Sequence, residues 1–254
     1  MISFQGLPSL DMGNGVWRAW WMEPLVATLS FMAAIHFYWY HERKRGLSRD
    51  NDLRAASFDS WNKGHLNQSL IAYWIGIYAT RIWVPAKAMP DGIPSNGSEM
   101  IHLIAEVVHG IILYDALFFV VHWLMHHVDI LRGIHRSHHK TYPKTVEARD
   151  VLCHSLVDGS LQVFCNIIVQ QRNFAGDPKS RLARVIHNIL VTWMLTESHT
   201  ATPDFVFWRR WFVGIKNHRR HHFGLSKESH ESYQQFFGYL DGLRASVQGP
   251  KPTD

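Results

Sequence analysis

Histidines recur at helical spacing in three short stretches of this chain. One stretch reads His-Trp-Leu-Met-His, and two later stretches each carry the pattern His-x-x-His-His. Side chains three and four residues apart lie on one face of a helix, so each stretch can point its imidazoles at one place. The eight histidines are His122 and His126, then His135, His138 and His139, and finally His218, His221 and His222.

Imidazoles that converge in this way predict a metal centre. Imidazole nitrogen binds zinc, copper, iron and nickel. A structural zinc ion closes its shell with four ligands, so eight histidines suit two ions with positions left open for a reactant. An all-nitrogen site at the ends of apolar helices favours redox chemistry on an apolar substrate, because a two-metal hydrolase would be expected to use more carboxylates.

Further residues could complete this centre. His199 lies where the fifth apolar stretch of the chain ends, and His154 lies where the fourth begins. Asp115 lies two helical turns before the first metal-binding pattern, where its carboxylate could accept a hydrogen bond from a ligating imidazole. Glu197 and Asp241 are candidates for the same role.

Composition excludes several other classes of protein. The 254 residues are 46% hydrophobic and 19% charged, which is too apolar for a disordered chain. Two cysteines rule out a disulfide scaffold and a cysteine-based zinc or iron–sulfur module. The net charge of +5 does not indicate nucleic-acid binding, because the basic residues are scattered among aromatic ones. The mean hydropathy of −0.14 is lowered by 18 histidines, so it understates how apolar the body is.

Five apolar stretches must position the histidines, and they predict an all-α integral membrane protein. About four transmembrane helices are expected. Some of them are expected to be re-entrant, since the last two stretches favour a hairpin that is partly re-entrant or interfacial. Basic residues after the first stretch, including Arg49 and Arg54, indicate its cytoplasmic end. One domain, 1–254, is expected, with N-terminal membrane helices in 1–99 and the histidine-rich region in 100–245. The stretches are 24–40, 66–86, 100–125, 151–169 and 182–195.

The order of the histidine patterns resembles that of the fatty acid hydroxylase and sterol desaturase superfamily of membrane di-iron enzymes. Residues 114–126 and 131–140 are similar to the most characteristic part of that family. Residues 217–222, followed by Phe-Phe-Gly-Tyr-Leu-Asp at 236–241, resemble its closing segment. The resemblance covers about 100–245, and the preceding part is similar only in hydropathy.

Three departures leave the subfamily open. Trp123 stands where relatives usually have Arg, Ser155 stands where Pro is usual, and His199 lacks the Asn or Gly often found after it. The substrate therefore stays open among sterols, fatty acyl chains and other hydrophobic metabolites. Hydroxylation and desaturation by the same histidine set are both compatible with these residues.

The resemblance implies a helical membrane fold with a cytoplasmic-facing di-iron cap, bound to the endoplasmic reticulum in a eukaryote or to the inner membrane in a bacterium. It implies two iron ions, O2 as co-substrate and oxidation of an unactivated C–H bond. Electrons would come from a reductase through a separate carrier of the cytochrome b5 or ferredoxin type. Basic residues could dock an acidic carrier or, equally, anchor the cap to anionic lipid headgroups. They are Arg209, Arg210, Lys216, Arg219 and Arg220.

Two hypotheses of other classes compete with this one. A non-enzymatic membrane metal-binding or transport protein is one, although transporter histidines tend to form low-complexity runs in loops rather than helical patterns. A soluble helical zinc hydrolase is the other, and it predicts good solubility without detergent and no dependence on O2.

Overall fold

A computed structural model describes residues 21–47, 65–83, 93–140, 147–152, 154–201, 207–223 and 232–248. These residues form helices joined by turns, with one isolated β-bridge between Arg172 and Pro178. The all-α prediction is confirmed for this part of the chain. Arg49 and Arg54 lie outside the described residues. The helices are α1 (Met22–Lys44), α2 (His65–Trp83), α3 (Gly97–His127), α4 (Asp129–Lys140), a 3₁₀ helix (Ala148–Leu152), α5 (Leu156–Val169), α6 (Arg181–Ser198), α7 (Trp208–Trp211), α8 (Val213–Phe223) and α9 (Tyr239–Gln248).

The long helix α3 carries the first histidine pattern at its C-terminal end. Its N-terminus is capped by Asn96, whose side chain accepts a hydrogen bond from the Glu99 backbone N–H at 3.0 Å. Glu99 in turn accepts from the backbone N–H of Ser95, the residue before the cap. Within the described residues, α3 is the one helix long and apolar enough to cross a membrane. The predicted number of spans stays a prediction.

One face of α3 is buried and another is exposed and apolar. Tyr114 and Phe118 belong to the main hydrophobic core, where α3 packs against α5 and α6. Ile101, Ile104 and Val108 lie on the opposite face, and about half or more of each side chain is exposed. Exposed aliphatic residues at helical spacing form the kind of surface that faces lipid in a membrane helix.

Helices α5 and α6 form a hairpin that packs against α3. With 14 residues, α5 rises about 21 Å, which is less than the hydrocarbon thickness of a bilayer. The turn of the hairpin meets α3 at Glu106, which accepts hydrogen bonds from Asn173 Nδ2 and the Ser180 backbone N–H. Glu106 lies about 24 Å before His122 along α3. The hairpin thus ends part-way along α3, and its re-entrant position in a membrane stays a prediction.

Helix α1 ties the two ends of this hairpin to the bundle. Glu23 at its start forms a buried ion pair with Arg184 of α6 at 2.9 Å. Glu42 at its end accepts hydrogen bonds from the Thr200 hydroxyl and the Ala201 backbone N–H, at 2.5 and 2.6 Å. Because these residues directly follow His199, the C-terminal end of α1 lies beside the histidine-rich region.

Candidate metal centre

Five imidazoles from three helices converge on one point. His122 and His126 come from the end of α3, His135 and His139 from α4, and His221 from α8. One nitrogen of each ring lies within 4.8 Å of the corresponding nitrogens of the other four. The Nε2 atoms of His122 and His126 are 3.1 Å apart, those of His135 and His139 are 3.0 Å apart, and those of His126 and His221 are 3.2 Å apart.

Three further imidazoles form a second group beside the first. His199 directly follows α6, and His218 and His222 lie on α8. The Nε2 atoms of His218 and His222 are 3.0 Å apart. Rings of the two groups are in contact, since the centroids of His139 and His222 are 4.9 Å apart and those of His122 and His218 are 5.4 Å apart. The two groups are therefore adjacent positions in one site.

The spacing of the nitrogens fits metal cations. Metal–nitrogen bonds of about 2.0–2.1 Å place neighbouring ligand nitrogens roughly 2.9–3.4 Å apart in octahedral or tetrahedral shells. The Nε2 pairs lie 3.0 to 3.2 Å apart, which is within that range. Two groups of nitrogen donors match two ions of the metals that imidazole prefers.

The outer nitrogens of three of these rings are held by acceptors. Nδ1 of His122 donates to the Tyr233 carbonyl at 2.9 Å, and Nδ1 of His199 donates to the Leu195 carbonyl at 2.9 Å. Nδ1 of His135 lies 3.0 Å from a carboxylate oxygen of Asp158. Because a carbonyl oxygen can only accept, the proton resides on Nδ1 in the first two rings. The lone pair of Nε2 then points into the site, as a metal ligand requires.

Burial keeps the imidazoles of His199, His218 and His221 neutral. It lowers the pKa of His199 to about 3, with the Leu195 hydrogen bond opposing this shift. Burial and the neighbouring imidazoles lower the pKa of His218 and His221 well below the usual value. Neutral imidazole is the form that binds metals, so these residues need lose no proton on metal binding near neutral pH.

Asp115 acts on the site through a loop and not through an imidazole. Its carboxylate accepts hydrogen bonds at 2.8 to 3.0 Å from the backbone N–H groups of residues 235–237. Asp241 accepts from the backbone N–H of Tyr233. The two carboxylates together hold the loop whose Tyr233 carbonyl orients His122. The expected bond from Asp115 to an imidazole is absent from the described residues.

Asp158 is the carboxylate that contacts imidazoles, and sequence reasoning missed it. One of its oxygens lies 3.0 Å from His135 Nδ1 and 3.3 Å from His154 Nδ1. His154 is buried but lies outside both converging groups. Two signals could have indicated Asp158: it is an acid in an otherwise apolar stretch, and it follows His154 by one helical turn.

The remaining candidates have other positions. The backbone of His138 lies in α4, but its side chain is outside the described part of the structure. His127 is exposed, stacks on Trp123 and bonds the Trp123 carbonyl at 2.7 Å. Glu197 accepts from the Tyr38 hydroxyl at 2.6 Å and from backbone N–H groups of 207–209, so it holds the N-terminus of α7.

The family model for fatty acid hydroxylase matches residues 107–245, more than half of the chain. This chain belongs to the fatty acid hydroxylase family. The matched range contains every imidazole of both groups, and it confirms the resemblance read from the histidine patterns. The family oxidises lipid-like substrates, is typically iron-dependent and is generally membrane-associated. No curated protein and no solved structure matches the chain.

Proposed function

We propose that the protein is a membrane di-iron oxygenase that hydroxylates an unactivated C–H bond of a lipid-like molecule, using O2 and electrons from a separate carrier. The observation that carries this proposal is the pair of adjoining imidazole groups in a member of the fatty acid hydroxylase family. A structural zinc site would need one closed group of four ligands, whereas here eight imidazoles form two groups.

The histidines divide between two iron ions in this proposal. One ion would be held within the five-membered group and the other within the three-membered group, which leaves more open positions. The five are His122, His126, His135, His139 and His221, and the three are His199, His218 and His222. The bound irons would supply O2 activation and the oxidising power for C–H cleavage. His138 and His154 remain candidates as further ligands.

The chain contributes rigidity and an apolar approach to this centre. Outer hydrogen bonds to Tyr233, Asp158 and Leu195 fix three of the imidazoles before any metal binds. On the bundle side, Phe118 packs against His122 and His218, with ring centroids 5.1 and 5.9 Å apart. An apolar wall on that side excludes water from the direction in which an apolar substrate would approach.

We further propose that the centre faces the cytoplasm. Arg43, Lys44 and Arg45 lie at the C-terminal end of α1, and positive residues beside a membrane helix mark its cytoplasmic side. The Glu42 side chain at this end bonds residues that follow His199, so the basic end and the histidines lie on one side of the bundle. The exposed aliphatic face of α3 would then contact lipid.

An acidic electron carrier is proposed to dock on the basic surface of α7 and α8. Arg210, Lys216 and Arg220 are exposed there. Arg209 instead lies 3.8 Å from Glu197, and Arg219 donates to the Thr200 carbonyl, so these two hold internal contacts. Charge reversal of the exposed three should slow electron transfer and weaken the loss of rate that added salt causes.

Iron content and O2 uptake of two adjacent variants test the function. Detergent-purified wild type should hold about two irons per chain and consume O2 with a reductase, a carrier and a lipid substrate. His126→Ala should lose iron and uptake, because its nitrogen belongs to the five-membered group. His127→Ala, one residue along and outside the groups, should keep both. Tight zinc with no turnover under any reductant, or full activity in His126→Ala, would refute the proposal.

A further inference from the structure

A cavity of about 100 Å³ lies inside the bundle, away from the converging imidazoles. Its walls come from α1, α2, α5 and α6 and are mainly apolar, with Phe31, Leu70 and Val191 among the lining residues. His154 also lines the cavity, and so does the amide pair Asn166 and Asn188. The cavity therefore has an apolar body with polar groups from different parts of the chain.

The amide pair lies far from the metal centre. Asn188 precedes His199 by about 16 Å along α6. His154 is close to that centre, because it shares the Asp158 carboxylate with His135. The cavity wall thus includes one residue beside the proposed irons and two residues deep in the bundle.

The orientation of the Asn188 amide is fixed by its neighbours. Its Oδ1 accepts hydrogen bonds from Asn166 Nδ2 at 2.9 Å and from Gln170 Nε2 at 3.1 Å. Asn166 is itself held, since its Oδ1 lies 3.0 Å from His187 Nε2. With Asn166 and Gln170 oriented in this way, a flipped Asn188 would set its NH₂ group against two donors, so its Oδ1 faces this network.

The nitrogen of the same amide has no hydrogen-bond partner in the part of the chain that the structure describes. Asn188 is 2% exposed, and its Nδ2 has no hydrogen bond to any described residue. The threonine oxygens that line the cavity already accept hydrogen bonds. Thr28 accepts from Trp74 Nε1 at 3.2 Å, and Thr192, whose proton goes to the Ile189 carbonyl, accepts from the Ser30 hydroxyl at 3.1 Å. A buried donor without an acceptor is costly, so its presence in a cavity wall indicates an acceptor on a ligand.

We propose that this cavity binds the part of the substrate remote from the oxidised carbon, and that Asn188 donates a hydrogen bond to it. The substrate is then a slender, mainly apolar molecule that carries an acceptor oxygen, in a hydroxyl, carbonyl or ether group. This inference rests on the proposed oxygenase function, since it assigns the same substrate a second point of attachment about 16 Å from His199 along α6. Pure hydrocarbons would leave the Asn188 donor unpaired.

Binding of two matched probes to the full-length protein tests the inference. The affinities of dodecyl methyl ether and dodecane are compared by letting the two probes compete for the protein. The protein is used as purified in detergent, without oxygen, reductase or reductant. One added hydrogen bond should make the ether bind about 2- to 10-fold more tightly than the alkane. Equal affinities in the wild type would overturn the inference. That result is expected if Asn188 bonds only a water molecule.

Two variants of α6 locate the effect. Asn188→Leu removes the donor and should abolish the preference for the ether without weakening the binding of dodecane. Thr192→Val is the matched control, because it removes a polar group from the same cavity wall one helical turn away, but one that already has a partner. It should keep the preference. An Asn188→Leu protein that still prefers the ether would also overturn the inference.

The outcome is separable from that of the proposed function, because binding is read without turnover. A chain that holds iron and consumes O2 but shows no ether preference overturns this inference alone. A chain that prefers the ether but neither holds iron nor turns over overturns the oxygenase proposal, and with it the role of this ligand as a substrate.

Discussion

Replacement of Asp158 by Asn tests whether a buried carboxylate orients the metal ligands. Asp158 is fully buried and lies within hydrogen-bond distance of His135 and His154. The amide keeps the size of the side chain but presents only one acceptor oxygen. If its NH₂ group faces His135, the imidazole must turn or change tautomer, and Nε2 no longer presents its lone pair to the metal.

The expected effect is a loss of metal affinity rather than a loss of fold. Removal of a partner that bonds a ligating imidazole typically costs 10- to 100-fold in metal affinity, or about 1.4–2.7 kcal/mol. His135 is one of five imidazoles in its group, so the other four should retain a weakened site. Iron content should therefore fall gradually with increasing chelator, at lower chelator concentrations than in the wild type.

A chelator titration with iron analysis measures this shift. The matched control is Glu106→Gln, another buried carboxylate exchanged for its amide, whose partners Asn173 and Ser180 lie far from the imidazoles. That variant should release iron at the wild-type chelator concentration, even if its thermal stability changes. The reasoning is refuted if Asp158→Asn holds iron as tightly as the wild type, or if both variants lose iron equally.

Three further predictions concern stability. Gly214→Ala would drive its methyl group into the Phe237 carbonyl and should lower the thermal midpoint by the equivalent of roughly 1–3 kcal/mol. Gly242→Ala is the control, because open space surrounds Gly242, and it should leave the midpoint unchanged. Asp115→Asn should speed amide hydrogen exchange in residues 235–237, and unchanged exchange would contradict its role as their anchor. Lys179→Met should raise the unfolding free energy at pH 7 by roughly 1–3 kcal/mol, because it removes a buried ammonium group without a hydrogen bond to the described residues. An unfolding free energy of the variant equal to or below that of the wild type would contradict this.

The positions that sequence could predict are those determined by local helical geometry. His122 and His126 share a helix face whatever the rest of the fold does, and so do His218 and His222. Their convergence with His199 followed from the order of apolar stretches, which brings the end of one helix beside the start of another. The sequence could not predict which histidines share a group, that is, the division into one group of five and one group of three. That division depends on where the fold places α4 and α8 relative to each other, and His221 joins one group while its neighbour His222 joins the other.

The partners of the buried acids could not be predicted, because they are remote in sequence. Asp115 was expected to bond an imidazole, since the nearest polar group along its helix face is His122. Its actual partners are backbone N–H groups about 120 residues later. Glu42 likewise bonds Ala148 and Ala201. A loop's backbone donors are present in every sequence and carry no residue signature, so only the folded structure identifies which acid holds which loop.

Buried polar residues also explain why hydropathy describes the bundle poorly. Glu23, Arg184 and Asn188 lower the hydropathy of α1 and α6, yet all three are buried, while Ile101 and Ile104 of α3 are exposed. A hydropathy window averages over all residues of a helix, whether their side chains face the interior or the surroundings of the protein. A protein that turns its polar groups inward and its aliphatic groups outward has the arrangement expected when the surrounding solvent is lipid. The negative mean hydropathy of this chain includes these buried polar residues and the carboxylates that hold its loops, so it is no argument against a membrane location.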